Sequence, residues 1–337
     1  MTIQIVRSLS TDQWRTFVEQ HPKGNIFHTP EMFEVYRLAK NHTPELWAAT
    51  EGGRILVLVI PVLITLTGGL LKRLTARSIV FGGILCEDSP NGQLALKELL
   101  KQYKRHADKS CLFAEVRNIS SPAELNPILL EAGFQYQDHL NYLIKLENRA
   151  ESVFNRIGPR TRKHIRQSLK RQEVQIVEVT DRLQIALCYE LLRRAYRNAR
   201  VPLADISFFY AAFDCLVPQK MARFTLAFVK NEPAAASIDL LYKDVIYGWY
   251  GGINRKFPAQ VPNETLMWNI LEWGCQNNYH VYDFGGAGKP NEKYGVRDFK
   301  AKFGGELVCF GRNTWIAHPA LMAVSKFAYT MIRRVIY

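Results

Sequence analysis

The sequence predicts an α/β protein of two duplicated domains, each a mixed β-sheet covered by helices. Three observations carry this. The chain has 337 residues, which suggests two domains at about 100–200 residues each. Apolar residues make up 47% and charged residues 22%, a balance that builds cores and excludes a disordered chain, a collagen-like fibre or a heptad rod. The third is an internal repeat. Phe81-Gly82-Gly83-Ile84 matches Tyr250-Gly251-Gly252-Ile253 at an offset of 169 residues. Each copy continues with a polar loop, an apolar-periodic helix (Leu94–Tyr103, then Leu266–Trp273) and a short strand bearing an acid. Those strands are Phe113-Ala114-Glu115-Val116 and Val281-Tyr282-Asp283-Phe284, offset by 168. The copies split near residue 150, into domains 1–150 and 151–337.

Taken in order, the first copy opens with helices at Thr11–Gln20 and Pro30–Lys40. Strands follow at Leu46–Ala49, Ile55–Ile64 and Ser78–Phe81, the middle one a run of Val, Leu and Ile. The second copy opens with helices at Arg160–Arg171, after the Gly158-Pro159 break, and at Asp181–Arg200. Its strands are Thr225–Val229, Ala234–Leu241 and Val245–Tyr250. A strand, a crossover helix and a further strand then close each copy, which is the pattern of a mixed sheet. Pro319–Tyr337 reads as an amphipathic helix. It packs on the body or docks on an anionic membrane surface.

Six cysteines lie at 86, 111, 188, 215, 275 and 309, no two closer than 25 residues, so no C-x-x-C pair exists. Scattered thiols fit a reducing compartment. The first ten residues lack a basic segment followed by an apolar run, so the expectation is a cytoplasmic protein, peripheral on the inner membrane face if the last helix docks there. Ile55–Leu71 is 17 residues long without a charge, at the lower limit for a spanning helix, but it carries Pro61, Gly68 and Gly69. Two buried strands joined by a turn are expected instead.

The net charge is +13 and lopsided. Residues 1–150 hold 17 Lys/Arg against 15 Asp/Glu; residues 151–337 hold 27 against 16. Arg156–Arg171 alone contains seven cations and no acid. Such a surface attracts nucleic acid, a nucleotide diphosphate or an anionic bilayer, or is simply a solvated face. The eight histidines form no metal-ligand spacing, so no metal site is expected.

Tyr282-Asp283-Phe284-Gly285-Gly286, then Gly295-Val296, Phe299-Lys300 and Phe303-Gly304-Gly305, resembles the terminal signature of the FemABX-like peptidyltransferases. Thr161-Arg162-Lys163-His164-Ile165-Arg166 resembles the opening of their second domain. Asn25-Ile26-Phe27-His28-Thr29-Pro30-Glu31 resembles their N-terminal entry, where Gln is commoner than His28. The resemblance implies two tandem GNAT-like (acetyltransferase-type) domains and an armless short form, since Arg166–Arg200 has room only for two ordinary helices and a strand. It implies an acyltransferase that moves an amino acid from aminoacyl-tRNA to an amine of a nucleotide- or lipid-linked muropeptide, with no resident cofactor.

Aminoacyl transfer is attack of an amine on an activated ester, so the site must align the two, take up a proton and stabilise an oxyanion. By resemblance Lys300 faces the reacting groups, with Phe299 beside it as a substrate contact; on the residues alone Lys300 is equally a solvated lysine on a helix beside Lys302. Asp283 orients the amine, or accepts N–H groups from the Gly285-Gly286 turn. Gly285, Gly286 and Gly288 let a ligand approach the backbone. Arg162 and Arg166, four apart on one helix, suit phosphate oxygens, with Arg37 or its neighbour Tyr36 as a further contact in the first domain. Tyr247 and Trp249 share one strand face; with Tyr250 they line a channel, stack on adenine, or are core.

An acyl-CoA or acyl-carrier-protein donor is the alternative. A CoA site normally has a glycine-rich turn whose N–H groups cradle the pyrophosphate. Here Arg255-Lys256-Phe257-Pro258-Ala259-Gln260-Val261-Pro262-Asn263-Glu264 holds no glycine and two prolines. A basic, non-enzymatic binding protein is the third reading.

Overall fold

Short apolar runs punctuated by capping residues set the elements of the first unit. The computed structural model describes residues 2–66, 72–147 and 149–336. After β1 (Ile3–Val6), Ser10 and Thr29 accept the N–H groups of Gln13 and Met32, starting α1 (Thr11–Gln20) and α2 (Pro30–Leu38). Then come β2 (His42–Pro44), β3 (Trp47–Glu51), β4 (Arg54–Val59), β5 (Pro61–Ile64), α3 (Lys72–Thr75), β6 (Arg77–Phe81) and β7 (Leu85–Cys86). Ser89 caps α4 (Pro90–Ala107), followed by β8 (Phe113–Arg117), α5 (Asn126–Glu131) and β9 (Gln135–Gln137).

The uncharged stretch beginning at Ile55 is buried strand, as its β-branched content demands. It is not a hairpin. β4 pairs with β3 and β7 in one sheet, while β5 pairs with β2 and β6 in another. The chain passes from one sheet to the other at Ile60, and the glycine pair of this stretch, Gly68-Gly69, comes later. Residues 67–71 lie outside the described residues. No described helix is long and apolar enough to cross a membrane.

The second unit runs β10 (Leu140–Lys145), α6 (Ala150–Arg156), α7 (Pro159–Arg171), β11 (Val174–Glu178), α8 (Ile185–Ala199), α9 (Ile206–Leu216), β12 (Ala222–Val229), β13 (Glu232–Tyr242), β14 (Val245–Ile253), α10 (Pro262–Gln276), β15 (Val281–Gly286), α11 (Gly295–Ala301) and β16 (Glu306–Cys309). The chain then ends in β17 (Arg312–Ile316) and α12 (Pro319–Ile336). One seven-stranded sheet, ordered β11-β12-β13-β14-β15-β10-β16, forms its frame. α10 supplies Leu266, Met267, Ile270 and Leu271 to a core with Ile246, Tyr282 and Phe303.

The repeat is visible as topology. β6 and β8 pair parallel across α4, and β14 and β15 pair parallel across α10. The two compact units are residues 1–138 with 310–337, and His139–Cys309, rather than a split near 150. The reason is an exchange of strands. β10 enters the second sheet between β15 and β16, while β17 returns to the first sheet between β8 and β9. Trp315 of β17 packs against Phe134 and the first core. The C-terminal helix therefore belongs with the first unit.

Candidate active site

The two parallel pairs differ at one end. β6 and β8 stay in register over five residues, from Arg77–Phe113 to Phe81–Arg117. β14 and β15 pair over only three, ending at Tyr247–Asp283, although β14 continues to Ile253 and β15 to Gly286. The ladder thus ends where the second copy carries its acid and its glycines. The acid of the first copy, Glu115, is instead ion-paired to Arg117 at 2.6 Å and Arg312 at 3.4 Å, which hold its carboxyl below its ordinary range despite burial.

Lys300 and Asp283 are both buried at this end of β15, near enough for each charge to act on the other. Lys300 is 8% exposed. Its Nζ donates to the carbonyls of Phe284 (2.6 Å), Gly285 (3.2 Å) and Gly286 (2.8 Å), so three acceptors take up the three ammonium hydrogens. Burial lowers its pKa to about 8, and Asp283 opposes the shift. Asp283 Oδ1 accepts from Asn141 Nδ2 and from the Gly285 N–H, each at 2.7 Å. Burial pushes its carboxyl up to about 6, against the Asn141 bond, the Gly285 bond and the Lys300 charge. The turn reading of Asp283 is seen in the Gly285 bond, and the Lys300 charge acts on the same carboxylate. Gly285 is forced, with φ +67° and an added Cβ only 3.0 Å from Tyr247 Oη. Arg297 ties the following loop together, donating to Ala287 O at 2.8 Å, Pro290 O at 3.0 Å and Lys289 O.

A β-bulge shapes the facing strand. Ile238 pairs with Tyr250 and Asp239 with Gly248, leaving Trp249 extra. Simple alternation would put Trp249 and Tyr250 on opposite faces; the bulge instead brings their rings 5.0 Å apart, and both pack on Phe208 and Phe209 of α9. Tyr250 also meets Tyr196 of α8 at 5.7 Å. On β14 itself, Gly248 is crossed by Tyr282, whose hydroxyl donates to Asp239 Oδ1 at 3.0 Å. Ser237 Oγ donates to Asp239 Oδ2 at 2.9 Å. Beside Asp239 on β12, Arg223 bonds Glu178 at 2.9 Å and lies over Trp273. Burial raises the Asp239 carboxyl to about 6.

The other expected residues lie elsewhere. Phe299 packs on Phe303 at 5.2 Å, against the core. Arg162 Nη1 donates to Asn155 O at 2.5 Å, and the Arg166 guanidinium lies 5.2 Å from the Phe154 ring, so both turn toward α6. Tyr36 is buried in the first unit, stacked on Phe81 and His42, and Arg37 is ion-paired with Glu34. Lys300, Asp283, Gly285 and Gly286 are brought together. Tyr247, expected to line a channel, stack on adenine or sit in the core, and Tyr282 of the signature brace that end, joined by Asn141 and Asp239, which the sequence did not single out. Asp239 left a readable signal, a lone acid inside Ala-Ala-Ala-Ser-Ile-Asp-Leu-Leu.

The entry to α10 is poorly furnished for a diphosphate. Pro262 removes a donor at its first position, Val261 caps it in the left-handed region without a side-chain acceptor, and Glu264 puts a carboxylate in its first turn. Lys302 pairs with that carboxylate at 3.7 Å, and Phe257 is buried against Val229 and Ala234. No group of three or more His, Cys, Asp or Glu among the described residues is placed to hold a metal.

Residues 159–300 match the acetyltransferase (GNAT) domain family. No curated protein sequence matches the chain at a significant level. Among solved structures, FemX is similar over 99% of this chain and 100% of its own, at 15% identity and a TM-score of 0.71. A tandem GNAT protein from the clavulanic acid biosynthesis pathway is similar over 94% and 99%, at 12% identity and a TM-score of 0.60. The C-terminal domain of a putative lysylphosphatidylglycerol synthetase from Agrobacterium fabrum is similar over 96% of both chains, at 14% identity and a TM-score of 0.56. At these identities the likeness is one of fold. The chain has a tandem GNAT-type fold like that of FemX, and the stretch that matches the acetyltransferase (GNAT) domain family lies in its second unit.

Proposed function

We propose that the protein is an aminoacyltransferase, moving an amino acid from aminoacyl-tRNA to an amine of a nucleotide- or lipid-linked muropeptide. The observation that carries this reading is the pairing of two features. The end of β15 holds a buried Lys300–Asp283 pair beside the break in the sheet. The adjacent entry to α10 offers a carboxylate and two prolines where an acyl-CoA donor needs free N–H groups. In the reaction the amine nitrogen bonds the ester carbon, the bond to the ribose oxygen breaks, and the amine's proton ends on that oxygen. Asp283 holds the incoming amine, and Lys300 supplies positive charge to the oxyanion, exchanging its long 3.2 Å bond to Gly285 O. Exposed cations of α7, Lys163 and Arg166 among them, with Arg162, attract phosphate groups, as does Arg37 in the first unit. Tyr36 and Phe299, both packed inward, support these elements rather than touch substrate. Tyr250 lines the acceptor side.

The test is transfer from a mixed pool of radiolabelled aminoacyl-tRNA to nucleotide-linked and lipid-linked muropeptide, with labelled acetyl-CoA in parallel. Label is expected to move from tRNA and not from acetyl-CoA. Movement from acetyl-CoA alone would overturn the reading and assign the α10 entry a donor role.

A further inference from the structure

We propose that α12 lays its outer face on an anionic bilayer surface. The helix has apolar residues on two sides. Leu321 and Met322 are half-buried, as is Ser325, whose hydroxyl donates to Leu74 O of α3 at 2.7 Å, which fixes that side against the unit. The opposite side presents Ala320, Ala323, Val324 and Phe327, spaced three or four apart on one stripe, all exposed. Phe327 is 70% and Val324 55% exposed. A surface helix ordinarily turns polar residues outward, so an outward apolar stripe calls for a cover.

The charge around the stripe selects the cover. α12 itself carries Lys326, Arg333 and Arg334 and not one Asp or Glu. α3, whose Leu74 carbonyl accepts from Ser325, carries Lys72 and Arg73 and again no acid. Asp108, whose carbonyl bonds His318, is an acid beside the start of the helix, but the helix's own charges are all positive. Aromatic and aliphatic groups on such a helix match a headgroup layer of negative sign, where the apolar side chains enter the acyl boundary and each cation adds to the attraction. A second copy fits less well, because a two-fold contact through this stripe would bring like charges together. A nucleic acid would take up the cations and leave Phe327 and Val324 in water. The inference stands apart from the proposed donor and acceptor.

The experiment is co-sedimentation of the full-length protein with vesicles of phosphatidylcholine, and of phosphatidylcholine mixed with phosphatidylglycerol, at physiological ionic strength. Wild type is expected to bind the mixed vesicles and not the neutral ones. Val324→Ser with Phe327→Ser is expected to lower partitioning about tenfold or more with the melting temperature unchanged, since both sites are exposed. Phe327→Trp is expected to shift its emission to the blue on mixed vesicles. Equal binding by the double serine variant would overturn the proposal and assign vesicle binding to net charge alone. Absence of vesicle binding, with wild-type self-association lost in the same variant, would assign the stripe to a second copy.

Discussion

Lys300→Met is expected to abolish label transfer, by at least about 10²–10³-fold, and to destabilise the second unit by about 2–4 kcal/mol. Three carbonyls at the end of β15 would lose their donor, and Asp283 would keep a buried charge with no opposing one. Adding Asp283→Asn to Lys300→Met is expected to restore part of the stability and none of the activity. Equal loss of stability in the double variant would show that the two groups do not interact.

The same pair predicts a bell-shaped pH profile for transfer. Burial raises Asp283 to about 6 and lowers Lys300 to about 8, so carboxylate and ammonium coexist chiefly between those values. Activity should fall below the first as Asp283 gains a proton, and above the second as Lys300 loses one, the two limbs belonging to the pair. Stability runs the other way. A carboxyl raised above its ordinary value stabilises the fold only while protonated, a contribution lost as pH rises through about 6. An ammonium lowered below its ordinary value burdens the fold fully below about 8, a cost lifted as pH rises from there toward 10.5. Near neutrality both charges therefore stand at a cost to stability, as the proposed reaction requires of them. A flat transfer profile across this range would remove both residues from the reaction.

The terminal signature foretold this pair because it is local. Asp283, Gly285, Gly286 and Lys300 lie within 18 residues, and the turn and the helix that join them are short. What the sequence could not show is what comes from afar. Asn141, the partner of Asp283, stands 142 residues away on a strand inserted between β15 and β16. β17 joins the first sheet from the other end of the chain, and nothing local in Arg312–Ile316 names that destination. The short, half-polar strand β16 gives weak alternation and passes as loop, whereas β11 is the strand expected between the two helices of Arg166–Arg200. The bulge at Trp249 defeats face counting, since period two assumes an unbroken ladder. Arg162 and Arg166 share a helix as their spacing requires, yet spacing alone does not say that both turn toward α6.

Gly248→Ala tests what holds that bulge in place. An added Cβ would stand 2.3 Å from Tyr282 Oη and 3.0 Å from Cζ. The Tyr282 ring is only 2% exposed, edge-on to Phe284 at 4.9 Å, and its hydroxyl is anchored on Asp239, so it has no room to swing aside. The variant is expected to lose about 3–4 kcal/mol, from overpacking and from a buried carboxyl robbed of a donor, lowering Tm by roughly 10 °C. Gly251→Ala, three residues along the same strand, meets only Ala236 O at 4.0 Å and should stay within about 0.5 kcal/mol of wild type. Tyr282→Phe alone is expected to cost about 1–2 kcal/mol. In that background Gly248→Ala should cost at least about 1 kcal/mol less than it does in wild type, because the obstructing oxygen has gone. Strict additivity would mean that the hydroxyl is not the obstacle and that Gly248 serves only the backbone. A coupled result, with transfer activity reduced in Tyr282→Phe at unchanged fold, would tie the position of β14 to a hydrogen bond that reaches from β15 to β13. The bulge at Trp249 would then rest on Asp239, an acid with no part in the chemistry that nonetheless fixes the wall on which it occurs.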